Sequence, residues 1–233
     1  MLKRGVDMAL SGLLLMVCLP LVAAAAIAIK LDSDGPAFFC QARMGRGFRI
    51  FQIWKLRTMR RGSDGPVYAL AGDPRVTRVG RWLRRFKVDE LPQLWNVARG
   101  EMSLVGPRPV VPELALEFRS AYERLLEVRP GLTDPATLQY CREAELLALS
   151  TDPLHHFKTV VTPDKLRISA AYLQGANLWS DLGLLAGTVP ALFQDNFRPR
   201  WVQQRFARQD QTFQRLIVES APGAEAQTST EIV

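Results

Sequence analysis

Two adjacent carboxylates, Asp89 and Glu90, stand directly after a strongly basic stretch of the chain. A carboxylate can attack phosphorus as a covalent nucleophile, provided that cations offset its repulsion by the phosphate. Basic neighbours also hold a carboxylate ionised by lowering its pKa. The pair therefore predicts phosphate chemistry, with Asp89 as the nucleophile, Glu90 as the group that orients it, and both as candidate ligands of Mg²⁺. The structural alternative is that Asp89 caps the helix in whose first turn Pro92 lies.

The basic stretch has the pattern of an amphipathic helix over residues 75–87. Apolar residues recur at helical spacing on one side, namely Val79, Trp82, Leu83 and Phe86. The rest of the helix carries six basic residues and no acidic one: Arg75, Arg78, Arg81, Arg84, Arg85 and Lys87. Such a helix fits a membrane surface, where arginines meet anionic lipid or substrate phosphate. The alternative is a solvated helix that packs on its own domain.

An uncharged run of 22 residues, Met8–Ile29, precedes these elements. With a rise of about 1.5 Å per residue, a straight helix of this length just spans a membrane. Pro20 lies in its middle, has no N–H to donate to the carbonyl of Met16, and disfavours the helical conformation of Leu19. We therefore expect the helix to kink or break at Leu19-Pro20.

Basic residues flank this run on both sides, with Lys3 and Arg4 before it and Lys30 after it. Basic flanks are typical of the cytoplasmic side of a membrane, so a spanning helix would send one of them across. A re-entrant helix satisfies both flanks and is favoured over a spanning helix. A cleaved signal peptide is disfavoured, because the run is long and no small-residue cleavage site follows it.

Composition limits the class of protein. The chain has 233 residues, of which 48% are hydrophobic, enough for one ordinary domain beside the membrane segment. Its formal net charge of +7 favours an anionic partner such as lipid head groups, a nucleotide or nucleic acid. The three cysteines form no Cys-x-x-Cys pair, which indicates a reduced compartment without a disulfide framework. His155 and His156 lack partners at metal-ligand spacing.

Local patterns between the apolar run and the basic helix predict a short β-hairpin. The turn-forming residues DSDGP at 32–36 end the membrane element. Ala37–Phe39 and Phe48–Lys55 alternate well enough to pair as two strands. Residues 61–74 have the composition of a loop.

Four ordered motifs are more specific than any of these features alone. They are KLRTM at 55–59, DPRVTRVGRWLRRFKVDELPQLWNV at 73–97, GEMSLVGPRP at 100–109 and RPGLTD at 129–134. Together they resemble the bacterial sugar transferase family, the monotopic polyprenyl-phosphate phosphoglycosyltransferases. The likeness extends from Lys3 to about Leu192.

The resemblance implies an enzyme that moves a phosphosugar from a UDP-sugar to polyprenyl (undecaprenyl) phosphate, releases UMP and uses Mg²⁺. It implies that Asp89 and Glu90 form the catalytic dyad. It also implies a re-entrant helix before a catalytic domain on the cytoplasmic face of the bacterial inner membrane. This reaction is the first membrane step in assembling exopolysaccharide, O-antigen, capsule or glycoprotein glycans. Five basic residues lie inside or beside the matched motifs and are the expected phosphate-binding set: Lys55, Arg57, Arg84, Arg108 and Arg129.

The sequence departs from the family pattern in two places. Leu19-Pro20 stands where many members have Ser-Pro at the break of the membrane helix. Residues 134–165 differ from the glycine-rich continuation of the smallest members, which predicts a different cover over the substrate. The identity of the sugar therefore does not follow from the resemblance.

We expect an α+β fold with a mostly helical, small catalytic domain, a short β-hairpin, an N-terminal re-entrant membrane helix and interfacial amphipathic helices. The expected division is residues 1–31 for the membrane helix, 32–200 for the catalytic domain and 201–233 for a partly disordered C-terminal extension. Expected partners are a UDP-sugar, polyprenyl phosphate and membrane lipids, without nucleic acid, and the pattern is compatible with a homo-oligomer. Two alternatives are a nucleotide-sugar enzyme on a spanning helix, and a basic nucleic-acid-binding or scaffold protein, which pI 9.7 permits.

Overall fold

The computed structural model describes residues 2–62, 70–141 and 143–191, so the predicted extension over 201–233 lies outside the described residues. Short strands and many helices confirm the expected α+β class. In chain order the elements are α1 (Leu2–Asp32), β1 (Phe38–Met44), β2 (Ile50–Leu56), α2 (Arg78–Arg85), α3 (Gln93–Arg99), β3 (Ser103–Val105), α4 (Pro112–Glu117), α5 (Arg119–Leu125), β4 (Gly131–Thr133), α6 (Pro135–Gln139), α7 (Glu143–Ala148), α8 (Pro153–His156), α9 (Thr162–Gln174) and α10 (Leu178–Ala191). A 3₁₀ turn, Val88–Glu90, joins α2 to α3, and a π-helical turn, Phe157–Val161, joins α8 to α9.

Helix α1 is the one element within these ranges that is long and apolar enough to cross a membrane. The helix continues through Pro20, so the break that the sequence suggested at Leu19-Pro20 does not occur. One missing donor leaves the other backbone hydrogen bonds of both halves intact, and a helix accommodates a proline by bending. The middle of α1 is exposed: Met16, Val17 and Leu19 each expose about two thirds of their surface, at 69%, 67% and 65%.

Both ends of α1 pack on the rest of the chain. Near the N-terminus, Leu10 contacts the central hydrophobic core, which contains Leu94 of α3. Near the C-terminus, Ile29 is buried in a second cluster with Leu83 of α2 and Val88. The rest of the described chain therefore contacts α1 on both sides of its exposed middle.

The predicted hairpin is confirmed and is longer than expected. Strands β1 and β2 are antiparallel, with Phe38 opposite Leu56 and Met44 opposite Ile50. Ile53 and Leu56 of β2 point to opposite faces of the hairpin and are both buried, Ile53 in the central core and Leu56 in the cluster around Ile29. The side chain of Asn96 in α3 holds β2 by binding its backbone, so the hairpin has a fixed position relative to the turn that follows α2.

A second, parallel pair of strands was not predicted from the sequence. Ser103 of β3 lies opposite Gly131 of β4, and Val105 lies opposite Thr133. A Cβ atom on Gly131 would lie only 2.1 Å from the backbone nitrogen of Gly106, so the close approach of the two backbones requires glycine there. This sheet joins the GEMSLVGPRP and RPGLTD motifs, and its three-residue strands are too short to produce an alternating pattern.

Helix α2 is shorter than the predicted helix over residues 75–87. Thr77 caps its start by accepting a hydrogen bond from the Gly80 backbone N–H at 2.9 Å. Before that cap, Asp73 binds both the backbone and the side chain of Arg75, which holds this segment in a turn. After the helix, Lys87 adopts a left-handed conformation with φ +54° and cannot continue it.

Candidate active site

Asp89 and Glu90 lie in the tight turn Val88–Glu90 between α2 and α3. The left-handed Lys87 directly precedes this turn, and such strained non-glycine residues concentrate at functional sites. Pro92 occupies the N-cap position of α3. The alternative hypothesis that Asp89 caps α3 is therefore wrong, and the carboxylate is available for another role.

The carboxylate of Asp89 is buried, with 7% of the residue exposed, and its Oδ1 atom has no hydrogen-bond partner within the described ranges. Burial, followed by the charge of Glu90, raises the pKa of Asp89 to about 6, against the opposing effect of Lys55 and Lys87. The expectation that basic neighbours lower this pKa is therefore wrong, because removal from water outweighs them. A buried polar atom without a partner is costly and needs a functional explanation.

Glu90 differs from Asp89 because two cations hold it. Arg108 donates to its Oε1 atom, and the Nζ atom of Lys55 lies 3.6 Å from the same oxygen. Burial opposes the charge on Glu90, but Arg108 and Lys55 outweigh burial and hold the pKa of Glu90 well below its ordinary value. Arg108 also donates to the Leu132 carbonyl at 3.2 Å, which fixes the guanidinium. Glu90 is thus a permanent anion that positions cations, whereas Asp89 keeps a free oxygen.

Three of the five predicted phosphate-binding residues lie near the dyad. Lys55 at the end of β2 and Arg108 after β3 both contact Glu90. Arg84 of α2 donates through Nε to Thr58 Oγ1 at 2.8 Å, and the charge of Asp89 acts on it. Three elements distant in the chain therefore bring their cations to one turn.

The other two predicted residues bind backbone carbonyls. Arg57 is buried and donates to the carbonyls of Ser33, at 2.8 Å, and Asp34, which ties the end of α1 to the end of β2. Arg129 donates through Nε to the Gly100 carbonyl at 2.7 Å, just after α3. Within the described residues no contact joins either arginine to the dyad, so their geometry is that of structural donors.

Two residues beside the site were missed in the sequence. Arg43 of β1 lines a cavity together with Arg108, and burial, then Arg108, lowers the pKa of Arg43 to about 10. Its Nε atom is buried and has no partner among the described residues. Arg43 stands outside the four motifs, and no local pattern connects it with Arg108.

Gln93 is the second missed residue. It is fully buried, and neither atom of its amide has a partner in the described part of the chain. Residues three positions apart lie on one side of a helical turn, so Glu90, Gln93 and Asn96 follow one another along the same side of this segment. Both of these neighbours contact β2, Glu90 through Lys55 and Asn96 through the backbone of the strand. The signal was the Gln of the DELPQ segment, which follows the dyad by one turn.

The donor set fits Mg²⁺ that is shared with a substrate. No group of three or more His, Cys, Asp or Glu residues that could hold a metal occurs in the described ranges. Mg²⁺ is usually bound through one or two carboxylates together with substrate phosphates, rather than by a closed protein site. The free Oδ1 atom of Asp89 meets this requirement, while Glu90 is engaged by Arg108 and Lys55.

A buried, partly unpaired carboxylate among cations is suited to chemistry at phosphorus. The sequence profile of the bacterial sugar transferase family matches residues 1–195, and the chain belongs to this family.

Named relatives cover most of the chain. A UDP-glucose:undecaprenyl-phosphate glucose-1-phosphate transferase of Caulobacter vibrioides is 42% identical over 203 residues, which are 82% of this chain and 69% of the relative. An undecaprenyl-phosphate glucose phosphotransferase of Komagataeibacter xylinus is 39% identical, over 80% of this chain and 35% of the relative. A UDP-N-acetylgalactosamine-undecaprenyl-phosphate N-acetylgalactosaminephosphotransferase of Aeromonas hydrophila is 35% identical, over 81% of this chain and 43% of the relative. The chain thus spans less than half of the last two relatives.

Proposed function

We propose that this protein transfers a phosphosugar from a UDP-sugar to undecaprenyl phosphate and releases UMP, as the first membrane step in the assembly of a bacterial glycan. Family membership and the names of the relatives support the class of reaction. The observation that carries the assignment of residues is the free, buried Oδ1 atom of Asp89 among the charges of Lys55, Arg84 and Arg108.

In the first step, a carboxylate oxygen of Asp89 attacks the phosphorus that bears the sugar. The bond between this phosphorus and the oxygen bridging the two phosphates breaks, and UMP leaves with the electron pair. The cations Lys55, Arg84 and Arg108 offset the negative charge of the phosphates as the nucleophile approaches. Glu90 holds Lys55 and Arg108 in place for this role.

In the second step, a phosphate oxygen of undecaprenyl phosphate attacks the same phosphorus. The bond from phosphorus to Asp89 breaks, the carboxylate is regenerated, and the undecaprenyl diphosphosugar is released. Because the acceptor is already an anion, this step requires no general base. The two steps predict ping-pong kinetics.

We propose Mg²⁺ as the cofactor. One carboxylate oxygen of Asp89 would hold it together with the phosphates of the substrate while the other oxygen attacks phosphorus, and Glu90 is the second candidate ligand. When bound, the cation neutralises phosphate charge that the three basic side chains leave uncompensated. The free Oδ1 atom of Asp89 supports this assignment.

We propose that α1 is re-entrant, with the N-terminus and the catalytic domain both on the cytoplasmic face of the inner membrane. Near its start, Arg4 donates to the Val97 carbonyl at 2.6 Å, and Asp7 accepts from Ser103 Oγ at 2.8 Å. Near its end, Ile29 packs against α2. A helix crossing a hydrocarbon core of about 30 Å would place these two ends on opposite sides of the membrane, where one domain could not bind both.

Thiol labelling measures on which side of the membrane the N-terminus of α1 lies. Leu2 is exposed, so Leu2→Cys in a protein whose native cysteines are replaced by Ser offers a label site without disturbing Arg4 or Asp7. Labelling by an impermeant reagent only after cell lysis is expected. Labelling in intact cells would favour the alternative of a spanning helix.

The reaction is tested by UMP release with a panel of UDP-sugars and undecaprenyl phosphate. We expect UMP with at least one UDP-sugar from the parent protein, and none above background from Asp89→Asn. Absence of UMP with every sugar of the panel, from a folded protein in lipid, would contradict the proposed function. Equal UMP release by the two proteins would contradict the role of Asp89.

A further inference from the structure

A cavity of about 480 Å³ begins beside the dyad. Arg108, which pairs with Glu90, lines it, and Arg43 of β1 lines it as well. The volume lies within the range of about 300–1,000 Å³ that is usual for small-molecule sites. The cavity therefore has a cationic part next to the carboxylates where the reaction is proposed to occur.

The lining of the cavity is amphipathic. Apolar side chains of α4, α5, α8 and α9 contribute to it, but eight of its twenty lining residues are charged. Four of these charged residues pair with one another, but the buried Nε atom of Arg43 has no partner in the described ranges, and a hydrocarbon chain would leave it without a hydrogen bond. A sugar nucleotide offers phosphate oxygens to Arg43 and Arg108, hydroxyl groups to the carboxylates, and apolar faces of its rings to the rest. The lining thus favours the sugar nucleotide over the isoprenoid chain of the acceptor.

The cover of the cavity consists of residues 143–161, within the segment that departs from the smallest family members. Two ion pairs hold it: Lys158 Nζ lies 2.8 Å from Glu117 Oε1 of α4, and Lys165 Nζ lies 2.6 Å from Glu143 Oε2. The π-helical turn after α8 begins at Phe157, which lines the cavity. Such turns are rare and frequently occur at functional sites.

We propose that this cavity is the binding site of the sugar nucleotide, that Arg43 binds its diphosphate together with Arg108, and that Leu154 and Phe157 bound the space for its rings. This inference rests on the proposed function. The buried Nε atom of Arg43, which has no partner in the described ranges, is available to a phosphate oxygen. Arg43 and Leu154 stand on elements far apart in the chain, so only the folded cavity joins them.

A cavity-filling substitution tests the site. Leu154 lines the cavity but is 47% exposed, so the larger side chain in Leu154→Trp is compatible with folding. Leu149→Trp is the matched control, because Leu149 belongs to the same cover, is 86% exposed and does not line the cavity. We expect Leu154→Trp to raise the KM for the UDP-sugar about tenfold, with the KM for undecaprenyl phosphate changed less than about twofold. The control should leave both KM values unchanged.

Two outcomes would overturn the proposal. A rise in the KM for undecaprenyl phosphate alone would assign the cavity to the isoprenoid chain. Unchanged KM values for both substrates would show that neither enters it.

Binding without turnover separates this inference from the proposed function. In the Asp89→Asn background, calorimetric titration with UDP-glucose and UDP-N-acetylgalactosamine should show binding that Arg43→Gln and Leu154→Trp each weaken about tenfold. If the parent releases UMP but these variants bind normally, the cavity assignment is wrong and the function stands. If the parent releases no UMP while the variants lose binding, the cavity assignment stands and the reaction is wrong.

Discussion

Two buried polar clusters differ in how completely their side chains are hydrogen-bonded. Where α1 meets β3, the carboxylate of Asp7 accepts from Ser103 Oγ at 2.8 Å and from the Leu104 backbone N–H at 3.2 Å. In the turn after α2, Oδ1 of Asp89 and both amide atoms of Gln93 have no partner in the described part of the chain. The two clusters are similarly buried, so burial alone does not distinguish them.

The difference separates a cluster that stabilises the fold from one that serves the reaction. A satisfied buried hydrogen bond contributes about 0.5–1.5 kcal/mol, whereas an unpaired buried polar group costs about 1–3 kcal/mol. Groups that cost stability are retained at functional sites. Substitutions at Asp7 should therefore reduce stability, while substitutions at Asp89 or Gln93 should reduce activity and leave stability equal or higher.

Asp89→Asn is expected to have the largest effect on activity. The amide cannot form the covalent intermediate, so the rate of UMP release should fall by about 1,000-fold or more. The melting temperature should stay equal or rise, because a neutral amide replaces a charge that burial disfavours. Initial rates and a thermal melt of the same preparation measure both. A strongly destabilised variant would show that the Asp89 carboxylate has a structural partner.

Arg108→Ala should reduce turnover by about 100-fold with the fold retained. The substitution removes a cation from the phosphates and leaves Glu90 with only the longer contact to Lys55, at 3.6 Å. Arg129→Ala is the comparison, since Arg129 binds the Gly100 carbonyl away from the dyad and should lose about 1 kcal/mol of stability rather than activity. Kinetics of Arg108→Ala equal to those of the parent would remove Arg108 from the site.

Asp7→Leu should lower the free energy of unfolding by about 2–4 kcal/mol, because Ser103 Oγ and the Leu104 N–H would remain buried without an acceptor. The rate per folded molecule should change little. Thermal melts in lipid nanodiscs measure the first quantity, and active-site titration measures the second. Asp7→Asn keeps one acceptor oxygen, so its free energy of unfolding should lie between those of Asp7→Leu and the parent. An unchanged melting temperature for Asp7→Leu would contradict the structural role of this cluster.

Gln93→Met should have the smallest effect on stability, a gain of about 1 kcal/mol, because it removes a buried amide without a partner at similar volume. Turnover should fall about tenfold, because the free amide lies one turn after the dyad and is available to the groups around it. Asn96→Leu on the same helix is the matched control. Asn96 binds the Trp54 N–H at 3.1 Å and the Gln52 carbonyl at 2.7 Å, so its loss should cost about 2 kcal/mol. A loss of stability in Gln93→Met would show a partner for Gln93.

Local signals in the sequence predicted local structure. The hairpin and the dyad could be found because alternation and adjacent carboxylates are visible within a few residues. The ends of α2 could not be predicted, because the turn at Asp73 and Arg75 and the left-handed Lys87 stop a helix that the apolar spacing would continue. The parallel pair β3–β4 was missed because three-residue strands carry no period.

Properties of the site that depend on burial were not visible in the sequence. The pKa of Asp89 was expected to fall, but it rises because the fold removes the carboxylate from water. Arg57 and Arg129 stand in matched motifs, yet the fold places carbonyl acceptors against them. Arg43 lies next to Arg108 only after the hairpin packs beside the loop that follows β3.

The central claim is that Asp89 carries the phosphosugar between the two substrates. It is tested most directly by incubating the purified protein with a UDP-sugar in the absence of acceptor and mapping the adduct by mass spectrometry. UDP-glucose is the first choice, because two of the relatives are named for glucose. We predict one phosphosugar on the peptide that contains Asp89, one equivalent of UMP, and loss of the adduct when undecaprenyl phosphate is added. An adduct on another residue, or equal labelling of the Asp89→Asn protein, would contradict the claim.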